Sequence, residues 1–138
     1  MPRGLFRTAV SLLAIGVFVV ADAPTASAHA KLLGAQPRQG AVTASAPDRV
    51  VLTFDEPVET SLGSLRVYDG SGERVDRGAV VRPRPQQVVV ALDRPLRRGT
   101  YTVAWRVVSA DSDPISGAYV FHVQRPGPHP GGIAAEVL

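Results

Sequence analysis

Seven prolines, at positions 37, 47, 57, 83, 85, 95 and 114, punctuate the middle of this chain and never fall at the centre of an apolar run. Proline cannot donate to a hydrogen-bonded ladder and breaks a helix interior, so this spacing favours strands. The runs between the prolines alternate with period two. Val50, Leu52 and Phe54 share one face of 49–54, and Val88, Val90 and Leu92 share one face of 87–92. Residues 100–108 form the longest run, with Tyr101, Val103, Trp105 and Val107 inward. Tyr119, Phe121 and Val123 line the last run, and 65–68 is a further one, closed by the turn dipeptide Asp69-Gly70. No stretch after position 28 shows helical period. The pattern predicts an all-β fold: an antiparallel Greek-key β-sandwich, Ig-like or cupredoxin-like, of about seven strands. Trp105, Phe54, Phe121 and the Val/Leu faces are its expected core.

The chain opens differently. Arg3 and Arg7 precede an apolar run of 13 residues, Ala9 to Ala21, and Ala26-Ser27-Ala28 follows as a small-x-small motif. This is the layout of a cleavable signal peptide, and the run is shorter than the roughly 20 residues of a membrane span. We therefore expect a signal peptide over 1–28, a domain over 29–124 and a flexible Pro/Gly-rich tail over 125–138. Export to the periplasm or the extracellular space follows.

Composition narrows the chemistry. Removing 1–28 leaves 110 residues, one small domain, with 13 basic and 11 acidic side chains. That charge is modest and scattered, which gives nucleic-acid binding no support. Cysteine is absent, which excludes disulfides, thiolate metal sites and a thiol nucleophile. The one methionine, Met1, leaves with the leader, so no thioether site remains.

Cleavage after Ala28 would make His29 the first residue. An N-terminal histidine carries two nitrogen donors, the α-amine and the imidazole, and such a pair suits copper(II) above other ions. The other candidate is Ser109-Ala110-Asp111-Ser112-Asp113-Pro114, directly after the long strand. Its carboxylates at i and i+2 either converge on a cation or bond their own backbone as an Asp-rich turn. Glu56 reads as a turn residue or as a support beside the N-terminus. Arg106 is expected to be exposed or paired. His122 is expected to be a solvated strand residue, and His129 a tail residue.

The residues in these positions resemble the CopC family of exported copper-binding proteins. The matching segments are His29-Ala30, Pro37, Gly40-Ala41, Phe54-Asp55-Glu56-Pro57-Val58, and above all Gly99 to Asp111, continuing to Pro114 and Ser116-Gly117. The resemblance implies a Cu(II) site at one end of a β-sandwich. In the family the N-terminal His supplies amine and imidazole, an Asp of the late loop lies beside the metal, and a His two residues later gives a third nitrogen. His29 and Asp111 match this set; Asp113 stands where that second His is expected. The metal set implied is thus His29, Asp111 and Asp113, with a harder oxygen donor replacing one nitrogen.

The leading expectation is a non-enzymatic protein that chelates Cu(II) for sequestration or delivery. The alternative is an interaction or structural sandwich whose metal binding is weakened or lost through Asp113. A secreted copper monooxygenase shares only the first ligand and needs a second His, so it finds little support. Expected partners are the copper ion and, by analogy with the family, a membrane copper transporter of the CopD type; the chain is expected to be a monomer. Loading needs an unprotonated amine (reference pKa about 7.7–8.0) and a neutral imidazole. Cu(II) affinity of the cleaved chain should therefore fall as pH drops from about 8 to about 5. Titration followed at the d–d absorption band checks this, and an affinity flat over that range would contradict the chelate.

Overall fold

The computed structural model describes residues 29–61, 64–93 and 95–128. The expected leader and most of the expected tail, His129 included, lie outside these residues. Eight strands follow one another: β1 (Leu32–Gln36), β2 (Val42–Thr43), β3 (Arg49–Phe54), β4 (Leu65–Tyr68), β5 (Asp76–Val81), β6 (Gln87–Leu92), β7 (Gly99–Val108) and β8 (Pro114–Val123). They form two four-stranded sheets, ordered β1-β3-β6-β5 and β2-β8-β7-β4. Every pairing is antiparallel except the short β2–β8 contact, which is parallel. Among the described residues there is no helix, and none long and apolar enough to cross a membrane.

The alternating faces meet between the sheets as their period demands. Val50, Leu52 and Phe54 of β3, Val88, Val90 and Leu92 of β6, and Tyr101, Val103, Trp105 and Val107 of β7 are all buried. Tyr119, Phe121 and Val123 of β8 join them. Phe54 meets Trp105 edge-on across the sandwich at 5.4 Å between ring centroids, and Tyr101 stacks on Phe121 at 5.3 Å.

Three strands lack a sequence signal. β1 and β2 are short edge strands, and β5 opens on Asp76 with Gly78 inside it, a composition that argues against a strand. Asp76 explains the exception. Its buried carboxylate accepts from the N–H groups of Val67 and Gly78, both at 2.9 Å, and pairs with Arg74 at 2.7 Å. Those bonds tie β5 to β4 and replace the ladder that its register shift interrupts. β8 also begins earlier than the alternation shows, at Pro114.

His122 differs from expectation. It is partly buried, with Nδ1 2.8 Å from the Thr100 hydroxyl, because residues 125–128 fold over that face. Gly127 bonds Thr100 Oγ1 through both its N–H and its carbonyl, each at 2.8 Å. The first tail residues are therefore held on the sandwich, although nothing in their composition signals packing.

Gly117 faces Trp105 across the β7–β8 register. A Cβ built there would lie 2.6 Å from the indole, whereas one at Gly34 would meet nothing within 4 Å. Gly117→Ala should cost about 1–3 kcal/mol by forcing the ring aside, and Gly34→Ala should be close to neutral. Urea unfolding of the two variants tests this; equal midpoints would refute the packing account.

Candidate metal centre

One long ladder positions the late loop. β7 and β8 pair over ten residues on each strand, from Gly99↔Val123 to Val108↔Pro114, and 109–113 close the hairpin. The loop is fixed by its own backbone: Ser109 N–H donates to Asp113 O at 2.9 Å and Ser112 N–H to Ser109 O at 3.0 Å. Ser112 adopts a left-handed conformation with φ of 72°, uncommon for a residue with a side chain. That turn directs Asp111 and Asp113 to the same side.

The N-terminal segment arrives from the other sheet. Ala30 is buried in the core, and Lys31 is held in both directions by Asp55. Lys31 N–H donates to Asp55 Oδ1 at 2.7 Å, and Asp55 N–H donates to Lys31 O at 3.0 Å. The next residue, Glu56, accepts at Oε1 from the N–H of Ala110 at 3.3 Å. The Asp55-Glu56 turn thus holds the N-terminal segment with one side chain and the late loop with the next. The sequence offered the support role of Glu56 as one of two readings; that of Asp55 had no signal.

These contacts bring His29, Asp111 and Asp113 together, with one ligand atom of each within 4.8 Å of the others. His29 Nδ1 lies 3.0 Å from Asp111 Oδ2 and 3.5 Å from Asp113 Oδ2. Donors about 2 Å from a shared ion stand roughly 3–4 Å apart, so these separations fit a metal with little movement. Nδ1 is also the ring nitrogen that closes a six-membered chelate with an amine on the same residue. The site is open to solvent, with 60% of the His29 side chain exposed.

Asp111 is prepared as an anion. The Ser109 hydroxyl holds its carboxyl below the ordinary carboxylate range; partial burial opposes this, and the Asp113 N–H and the His29 ring add to it. Asp113 is more exposed, with 58% of its side chain accessible. The remaining candidates lie elsewhere. His122 pairs with Thr100 near the opposite end of the hairpin, Arg106 is exposed, and Trp105 is core.

Comparison with known proteins agrees with this architecture. The CopC domain family matches residues 32–124. Copper resistance protein C of Pseudomonas syringae pv. tomato is 33% identical over 122 residues, covering 83% of this chain and 94% of that protein. Copper transport protein CutJ of Bacillus subtilis is 31% identical over 122 residues, 87% of this chain, which spans only 22% of that longer protein. Among solved structures, CopC from Methylosinus trichosporium OB3b superposes with a TM-score of 0.60 at 28% identity, covering 74% of this chain and 99% of that one.

Proposed function

Because this chain belongs to the CopC family, we propose that it is an exported copper-binding protein that chelates Cu(II) through His29, Asp111 and Asp113. The observation that carries the reading is the approach of His29 Nδ1 to two carboxylates from a loop 82 residues away. The relatives named for copper resistance and copper transport supply the metal's identity. Signal cleavage after Ala28 would free the amine of His29 as the second nitrogen. The set then offers two nitrogens and carboxylate oxygens, which a tetragonal copper(II) ion accepts.

The mechanism is capture and release, without turnover. Two carboxylates attract a dication, and an exposed site lets it exchange. Asp113 in place of imidazole weakens the hold and lowers selectivity over other divalent ions, which suits delivery better than tight storage. A CopD-type membrane transporter as the receiver rests on family analogy alone.

Asp113 also favours a second reading, a sandwich domain that no longer binds metal. N-terminal mass analysis of the exported protein, followed by Cu(II) titration at the d–d band, separates the two. Stoichiometric binding at neutral pH is expected; its absence favours the second reading. One extra residue before His29 should weaken binding at least about tenfold, because an amide nitrogen is a poor ligand until deprotonated. Equal affinity with and without that residue would sink the amine chelate. Asp113→His should tighten binding by a similar factor by restoring a nitrogen donor. No gain would show that position 113 lies outside the coordination sphere.

A further inference from the structure

The two oxygens of Asp111 are not equivalent. Oδ2 faces His29 Nδ1 at 3.0 Å, whereas Oδ1 is turned into the loop. There Oδ1 accepts one hydrogen bond from the Ser109 hydroxyl and one from the Asp113 N–H at 3.2 Å. Ser109 is 3% exposed, so water does not compete for its hydroxyl. The Ser109 Oγ is also within 2.9 Å of the Asp113 carbonyl, but the single hydroxyl proton goes to the carboxylate, the stronger acceptor. The Ser109 N–H bond to Asp113 O fixes the same two residues from the backbone side.

From this asymmetry we infer that Ser109 is a positioning residue that makes Asp111 a one-oxygen ligand and thereby sets which metals the site accepts. The inference rests on the copper reading above. An oxygen occupied by two donors cannot turn to an ion without breaking both bonds, so only Oδ2 remains. A copper(II) ion with a small tetragonal set is served by one oxygen from each carboxylate. Calcium is not: it takes six to eight oxygens and draws on two-oxygen carboxylates. Locking Oδ1 therefore acts against oxygen-seeking ions that the Asp111/Asp113 pair would otherwise attract, and compensates for the selectivity lost with the missing imidazole.

The test uses the cleaved protein, titrated separately with Cu(II) and Ca²⁺, with electron paramagnetic resonance of the copper-loaded form. Ser109→Ala should lose roughly 10–100-fold in Cu(II) affinity, the usual cost of removing a group that orients a ligand. Its resonance parameters should shift and its Ca²⁺ affinity should hold or rise, narrowing the ratio between the ions. Ser109→Thr keeps the hydroxyl and should restore all three readouts. Purely structural damage would lower both affinities together and leave the spectrum of the bound copper unchanged, which would overturn the inference. So would Ser109→Ala binding Cu(II) within twofold of wild type with the same spectrum. Should Ser109→Ala fail to fold, the wild type still decides. The carboxylate stretches of Asp111, identified by their loss in Asp111→Asn, should be widely split on copper loading, as one-oxygen ligation requires. Narrow, two-oxygen splitting would refute the assignment. If the wild type itself binds no copper, the copper reading falls, and this inference with it.

Discussion

The ladder between β7 and β8 is the constraint on which the rest depends. Its uninterrupted register fixes where the hairpin closes, and so where Asp111 and Asp113 emerge. The same register places Gly117 opposite Trp105, and the ring then reaches Phe54 of the other sheet. Packing of the two sheets and geometry of the loop therefore share a cause. A slip of one residue would turn Trp105 outward and reverse the carboxylates in the same move.

The ladder alone does not complete the site, because His29 lies just ahead of β1, an edge strand of the opposite sheet. The Asp55-Glu56 turn makes the connection, one side chain on Lys31 and the next on Ala110. Each bond is modest, on the order of 1 kcal/mol. Their effect is geometric: they hold His29 against a loop that lies far from it in the sequence. The proposed donors are therefore arranged before any metal arrives, which reduces the ordering that binding must impose.

Much of this was legible in the residues. Period two in 49–54, 87–92 and 100–108 reports the faces of β3, β6 and β7, because burial on one side leaves a readable alternation. β5 is not legible because it opens on Asp76, whose buried carboxylate bonds Val67, Arg74 and Gly78, and a buried acid looks like a turn residue in sequence. Asp111 and Asp113 were visible as a pair by proximity. The nearness of His29 to them was not, since tertiary packing decides it and only the family resemblance pointed there. His122 departs from expectation for a related reason: alternation gives the face of a strand, but not what later folds over that face. Ser109 had no signal, because a serine before an Asp-rich turn is ordinary until its hydroxyl is seen against one particular oxygen.

Charge adds a reason why the proposed site would be complete only after cleavage. Before cleavage His29 contributes an imidazole and an uncharged amide nitrogen to two carboxylates, leaving their mutual repulsion unrelieved on that side. Cleavage after Ala28 would exchange the amide for an amine, whose reference pKa of about 7.7–8.0 makes it mostly ammonium at neutral pH. The new positive charge would belong to the residue whose ring already lies against Asp111 and Asp113, so it would offset their repulsion in the absence of a metal. To act as a donor to a dication, that amine would have to give up its proton, so the same nitrogen would serve as a ligand once deprotonated. A single peptide-bond cleavage would then supply both the counter-charge of the empty state and a donor of the loaded one, with Asp111 presenting the same Oδ2 to each.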